Sequence, residues 1–484
     1  YYVAAQDNQS TPISSTNPKG GAGINPPGNT APQNQNFYVI APAFNGNITV
    51  GNGGDFPDLT SINGAFFAIN NGVVTGNVNL QIISDLSEPS TVALTDFDRQ
   101  GSPSWKVNII PNSATLRKIH GNVGNSVVVL NGAKHIVFDG SFNGSGRYLE
   151  FINHNTGTSQ AAINLRTPIA GQGCSNIEIK NIIAQAGNNT GTSTHAIVIS
   201  GTTITGAGYG HDSILIKGNE LRKAYYGVRL VGSTTADNTN ITIDSNVIGS
   251  NADSLHITNV GVFGTYMHAS TRITRNHIFN VTSTGTSTNY VSGIEISTTS
   301  NAVLVEGNRI HGIYQAHPST GYAAEGIRLS SGNSHKVVNN IIYDIRGLGS
   351  TTVANNPSGI RVSSGNSHEI YYNTINLYGS APVTSASGIV SGIYIAVTTA
   401  TNLKIKNNII NIKANNPNQA GQKYYAFHGI ANVDVSSYEL NNNAYLVAPN
   451  SGKHFVGRIG TVEYPTLNDF KVYSQAINTS NDTA

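Results

Sequence analysis

Acid–base or metal chemistry needs carboxylates, histidines or cations gathered at workable spacing, and few residues of this chain are so gathered. Asp96 and Asp98, in Thr95-Asp96-Phe97-Asp98-Arg99, are the best acidic pair. A spacing of two sets both carboxylates on one strand face, where Ca2+ could be held, although two carboxylates alone fit a solvated turn better. His211 and Asp212, in Gly210-His211-Asp212, have no partner carboxylate nearby in sequence and read as a turn. Lys217, Arg222, Lys223 and Arg229 are the densest basic patch, which suits an acidic sugar but reads more readily as a solvated face. His335 and His368 occupy the same place in two near-identical octets 33 residues apart, and a repeat stacks such residues without any metal. The single cysteine, Cys174, excludes an intrachain disulfide and reads as a small buried filler. The expectation is no cofactor, no metal and no assembled catalytic set.

What must position these residues is a repeat. Glycine precedes an apolar-x-apolar triplet at Gly227, Gly293, Gly326, Gly359 and Gly392, with imperfect copies at Gly261 and Gly429. An asparagine stands two residues before an apolar one at Asn219, Asn246, Asn276, Asn308, Asn340, Asn373, Asn408 and Asn443. Both landmarks recur every 27 to 37 residues, the mark of a solenoid. Segments such as Leu403-Lys404-Ile405 alternate with period two, and Gly and Asn interrupt them, which excludes helical repeats. Short strands pointing inward on alternate residues make a parallel β-helix, all-β, of about ten coils counted from Val127. The asparagines should stack at a buried corner. Lys336, Glu369, Lys404 and Glu439 should form an outward ladder of alternating charge.

The less regular stretches 279–292, 311–325, 343–358, 376–391 and 411–428 should project from one flank. They carry Tyr290, Tyr314, Tyr322, Tyr343, Tyr378, Tyr424 and Tyr425, candidates for stacking on sugars or on another subunit, or for packing the loops onto the rod.

Composition narrows the function. Charged residues are 11% and the net charge is +2, with no basic stripe, which argues against nucleic acid. No run of about 20 apolar residues exists to span a membrane. The start at Tyr1 reads as a processed or trimmed product, and the abundance of Asn, Ser and Thr fits an extracellular or cell-surface protein. Residues 1–36 read as an extended polar arm, 37–77 as N-terminal strands with a capping helix begun at Asp58, 78–449 as the β-helix, and 450–484 as a closing segment with a helix capped at Thr466. The arm is too poor in apolar groups to fold alone and is expected to dock in extended form, on this rod or on a neighbouring copy.

Asn47-Ile48-Thr49-Val50-Gly51-Asn52-Gly53-Gly54-Asp55-Phe56-Pro57-Asp58-Leu59 resembles the opening of pectate-lyase-like right-handed β-helix proteins. Asn441-Asn442-Asn443-Ala444-Tyr445 and Tyr464-Pro465-Thr466-Leu467-Asn468-Asp469-Phe470 are similar to the segment following the β-helix in large type IX-secreted surface proteins of Bacteroidetes-like bacteria. The resemblance implies the fold over residues 45–480 but not an activity. The Asp-Asp and Gly-His-Gly of polygalacturonases and the Gly-Arg-Pro-Trp of pectin methylesterases are absent. The first expectation is therefore a non-catalytic structural or adhesive protein, a filament or surface building block whose partners are its own copies or cell-surface components. The alternatives are a polysaccharide lyase or glycoside hydrolase, or a glycan-binding module. Three or more ionisable side chains converging on one strand face would favour the enzyme.

Overall fold

The structure is a computed structural model that describes residues 3–17 and 41–475, apart from 170, 235–237, 286–289, 318–322, 349–355, 380–387, 417–420, 432, 434 and 449–451. Each coil carries up to three short strands, and like strands of successive coils pair in parallel. The result is a right-handed parallel β-helix with three long sheets. The first sheet runs from Ala43–Val50 to Glu439–Asn441, the second from Leu86–Ser87 to Ala444–Val447, and the third from Leu94–Thr95 to His454–Ile459. Register keeps like residues in line. Ile243, Ile273, Val305, Val337, Ile370, Ile405 and Leu440 form one inward stack of the first sheet, all buried.

The second sheet stacks twelve strands in one path, against the ten coils expected from Val127. The added turns are N-terminal: Ala43–Val50 pairs with Val73–Ile82, which pairs with Val107–Pro111. Their irregular spacing hides them from a search for the repeat. The first helix is also shorter than its sequence pattern, Ala65–Asn70 only. The expected cap Asp58 instead accepts from Ser61 N at 2.7 Å. Buried Glu88 accepts from Leu59 N, Thr60 N and the Thr60 hydroxyl at 2.6–3.0 Å, which holds this segment open as a turn. The closing helix Leu467–Gln475 starts as expected: Thr466 Oγ1 accepts from Asp469 N, and Asp469 Oδ2 accepts from Thr466 N, both at 3.2 Å. Its Phe470 is buried against Phe427, Tyr445 and Tyr464. The described part of the arm folds on itself as an antiparallel pair, Val3–Gln6 with Ser14–Asn17, its turn held by Asp7 Oδ1 accepting from Ile13 N. Residues 18–36, on which extended docking mainly depends, lie outside the described residues.

The corner from first to second sheet is turned by two residues. The first has left-handed backbone in eight successive coils: Gly218, Ser245, Arg275, Gly307, Asn339, Tyr372, Asn407 and Asn442 have φ of 53–68°. The second is the repeated asparagine. From Asn219 to Asn408, each donates both its backbone N–H and its Nδ2 to Oδ1 of the asparagine one coil on, at 2.9–3.1 Å. Each Nδ2 also donates to a backbone carbonyl of the preceding coil, so a buried amide is satisfied by its neighbours alone.

Histidines do similar work where the chain enters the first sheet. His211, His335 and His368 are buried. Their Nδ1 atoms accept from the backbone N–H of Cys174, Val303 and His335, at 3.1–3.2 Å. Nε2 is then the protonated nitrogen and donates to a carbonyl, such as Ser331 O or Ser364 O. His335 and His368 stack at 5.0 Å with planes 7° apart. Burial pushes His211 and His335 down to about 4. The charge ladder also forms. Lys336, Glu369, Lys404 and Glu439 pair coil to coil, and Glu369 binds Lys336 at 3.0 Å and Lys404 at 3.9 Å.

Two outcomes follow for stability. Asn340→Ala leaves buried partners on both sides unmatched and should cost about 1–3 kcal/mol in urea denaturation. The buried histidines are neutral when folded and must gain a proton in acid, so their stabilisation is present above the ordinary histidine range and lost as pH falls from about 6.5 towards 4. His335→Gln, which does not titrate, should show a shallower acid loss than the parent in melts across that window.

Candidate functional site

The third sheet repeats a four-residue unit, outward residue, glycine, inward apolar residue, outward residue. Glycine is required by close approach of the second sheet. A Cβ at Gly293, Gly326, Gly359 or Gly392 would stand 2.4–2.5 Å from Cγ2 of Ile310, Ile342, Ile375 or Ile410. That fixed unit presents two rows of side chains on the outer face. One row runs Ser292, Glu325, Ser358, Ser391, Tyr425, and the other Glu295, Arg328, Arg361, Tyr394, His428, Arg458.

These outward residues are nevertheless withdrawn from water. Glu325, Ser358, Tyr394 and His428 are 0% exposed and Arg361 is 6%. Glu325 is the hub. Its Oε1 lies 3.4 Å from both Arg328 and Arg361, and its Oε2 accepts from the Ser292 hydroxyl at 3.0 Å. Arg328 lies over the Tyr290 ring at 3.5 Å and contacts Glu295 at 3.4 Å. Burial works against the Arg328 charge, but Glu325 and Glu295 outweigh it and hold the guanidinium above its ordinary range. Burial pushes the Glu295 carboxyl up, against the pull of Arg328 and a 2.8 Å hydrogen bond from the Ser330 hydroxyl. Further along, Tyr394 stacks on His428 at 4.5 Å. Tyr425 donates to Glu463 at 2.6 Å, and Lys423 lies 3.4 Å from the same carboxylate.

Beside this array, at the corner between second and third sheets, is a groove of about 570 Å3 lined by Asn189, Asp253, His256, Asn280, Tyr314 and Arg346 among others. Amides and hydroxyls dominate its wall, and the Tyr314 ring lies under Arg346 at 4.8 Å. Thr258 on its wall is two residues upstream of Val260, which pairs with Ser292; Tyr290 is two residues upstream of Ser292. With Tyr314 and Arg346 on the strands that lead to Glu325 and Ser358, the groove spans the same coils as the start of the array.

The expected tyrosines divide among several environments. Tyr290 and Tyr425 join the array, and Tyr314 lines the groove. Tyr343 stacks on His311 at 4.5 Å on the outer face of the second sheet. Tyr424 is a core residue whose hydroxyl donates to Gln422 at 2.8 Å, and Tyr378 is exposed. Tyr322 lies outside the described residues. Asp96 is held by Arg99 at 2.9 Å and Lys134 at 2.7 Å, while Asp98 is exposed. The basic patch does not form. Lys217 belongs to the first sheet and binds Asp244, Arg222 belongs to the second and binds Glu150, Lys223 sits in the turn between strands, and Arg229 packs on Tyr226 in the third. Buried Cys174 has its thiol pushed up to about 12 by burial, a filler as expected. Glu295, Glu325, Arg328, Arg361, Tyr394 and His428 were not singled out in the sequence. Aligning the coils on the landmark glycine, with the residues at −1 and +2 read down the columns, would have found them.

No protein-family model matches this sequence, and no curated protein does. The chain is similar in structure to the Dettilon tailspike protein, with a TM-score of 0.45 at 12% identity over 83% of this chain and 69% of that one. It is similar to a mannuronic acid-specific polysaccharide family 6 lyase from human gut microbiota, at 0.44 and 11% over 84% and 90%. It is also similar to the A-module of an Azotobacter vinelandii mannuronan C-5 epimerase, at 0.41 and 13% over 84% and 94%. By its own geometry the chain is a parallel β-helix. Among the described residues no helix is long and apolar enough to cross a membrane, and no three His, Cys, Asp or Glu are grouped to hold a metal ion.

Glu325→Ala would leave two buried guanidiniums without their shared carboxylate. It should cost about 3–5 kcal/mol in denaturation, far more than loss of any exposed Lys–Glu pair of the first sheet, worth at most about 1 kcal/mol.

Proposed function

We propose that this protein cleaves a polysaccharide at the outer face of the third sheet, with the neighbouring groove as the bed for the glycan chain. One observation carries this reading: Glu295, Glu325, Arg328, Arg361 and His428 share one sheet face, with Glu325, Arg361 and His428 buried and Glu295 and Arg328 mostly so. The fold does not require it, since the first sheet covers its outer face with an exposed Lys–Glu ladder. Burying ions without a structural need is the habit of working sites. Glu295 is the group suited to proton donation. Its carboxyl is raised by burial, it keeps an accessible edge, and Ser330 orients it. It gives its proton to the glycosidic oxygen as the bond from that oxygen to the anomeric carbon breaks, water adds its hydroxyl to that carbon and its remaining proton restores the carboxyl, while Arg328 and Arg361 steady the charge around it.

A second reading keeps the structural or adhesive role. The outer face of the second sheet exposes Ile341, Ile409 and Leu446, each about half accessible and spread over four coils, with Thr374 between the first two, a surface that another protein or another copy could cover. Either reading goes with a protein that works outside the cell, and fractionation of the producing cells tests that location.

The deciding experiment incubates the purified chain with a panel of neutral and acidic polysaccharides and follows new chain ends. Cleavage of at least one glycan is expected, with kcat reduced by about 10²–10⁴-fold in Glu295→Gln at unchanged Tm. No product across the panel, together with self-assembly in light scattering, would overturn the enzyme in favour of the structural reading.

A further inference from the structure

Three hydroxyl or ring atoms of the array have no hydrogen-bond partner among the described residues: Ser358 Oγ, Tyr394 Oη and His428 Nε2. All three residues are 0% exposed and stand on three consecutive coils of one sheet face. A buried unsatisfied polar group costs about 1–3 kcal/mol, so three together in one patch call for a cause.

Their protons can be placed. Asn356 Nδ2 donates to Ser391 Oγ at 2.7 Å, and Ser391 Oγ lies 3.0 Å from His428 Nδ1. The arrangement that serves both contacts has the Ser391 hydroxyl donating to Nδ1, which leaves the imidazole proton on Nε2. Burial, with Arg458 and Arg361 nearby, pushes His428 down to about 3, so the ring is neutral and carries that single N–H. Burial also pushes the Tyr394 phenol up, so its proton stays in place. All three free atoms can therefore donate. Arg361 and Arg458 lie one coil to either side of the Tyr394–His428 stack. Across the wider array, Arg328, Arg361, Lys423 and Arg458 stand against Glu295, Glu325 and Glu463, four cations to three carboxylates. One acceptor is also free, Asn356 Oδ1.

We propose that Ser358, Tyr394 and His428 form a subsite for the anionic group of an acidic sugar, a carboxylate or a sulfate, with Asn356 Oδ1 receiving one of its hydroxyls. Three donors on consecutive coils, flanked by two guanidiniums, suit an anion, whereas a neutral sugar would leave the positive excess uncompensated. The donors are closed off from solvent, so entry needs a local opening, and the half-buried Arg328 and Arg458 mark the accessible margin. This inference rests on the reading of the array as the glycan site and narrows its substrate to an acidic polysaccharide.

The test measures binding rather than turnover, on the full chain, by calorimetry and thermal shift with three probes: a glucuronate-containing oligosaccharide, its neutral glucose counterpart, and inorganic sulfate. The expected result is that the acidic oligosaccharide binds and raises Tm while the neutral one does not. Tyr394→Phe and Ser358→Ala, which keep the stacking and volume, should each weaken it by about tenfold. Asn356→Leu, which removes the acceptor for the sugar hydroxyl, should weaken the acidic oligosaccharide more than sulfate. Equal binding of neutral and acidic probes, or binding of the acidic probe unchanged in Tyr394→Phe and Ser358→Ala, would overturn the subsite while leaving glycan cleavage standing. Sulfate binding with no oligosaccharide binding would reduce it to an anion site and sink the sugar assignment. Cleavage confined to neutral glycans in the polysaccharide panel would likewise refute the acidic substrate without touching the role of Glu295.

Discussion

A parallel coil must turn three corners on every circuit, and each corner brings backbone and side-chain polar groups into an interior with no water. The asparagine ladder meets that constraint. Each asparagine accepts at Oδ1 from the asparagine of the previous coil and donates to Oδ1 of the next, so satisfaction propagates along the rod. The left-handed residue before each asparagine makes the sharp turn that brings the amides into line, even where the residue is Arg275 or Tyr372, for which that backbone is unfavourable. Arginine and tyrosine are tolerated there because the stack of neighbours over-determines the corner. The histidines that open the first sheet solve the same problem with a ring.

Once the corners fix the spacing of coils, every strand position becomes a column. A column can hold a cheap pattern or a costly one. On the first sheet, alternating Lys and Glu remain in water, contribute little and demand little. On the third sheet, columns of Glu, Arg, Tyr and His are buried, and their charges must neutralise one another in place. Glu325, shared between two arginines, meets most of that demand, and Tyr290 faces the guanidinium of Arg328. The same columns leave donors at Ser358, Tyr394 and His428 unused. Structural economy accounts for the first arrangement and not for the second, which is why function is assigned to this face.

The glycine landmark joins the two halves of the argument. It lets the second sheet approach so closely that Ile310, Ile342, Ile375 and Ile410 touch the strand backbone of the third. That contact locks the outward residues on either side of each glycine into two straight rows. The repeat that shapes the core therefore also lines up the ionic array.

The sequence by itself determined the β-helix, the asparagine corner, the Lys336–Glu439 ladder and the capping box at Thr466, because each follows from local period or from a residue type repeated at one spacing. Its coil count, made from Val127, left out the turns N-terminal to that residue, whose spacing departs from the repeat, and it did not reveal the fate of Asp58, decided by Glu88 some thirty residues away. The basic residues of 217–229, close in sequence, went to three different sheets because a coil carries neighbours around the rod. Glu325 and Arg361, 36 residues apart, met because parallel register stacks coil on coil. Only the tertiary structure decided which columns are buried, since burial on an outer face depends on what else crosses it and not on the period of the strand beneath.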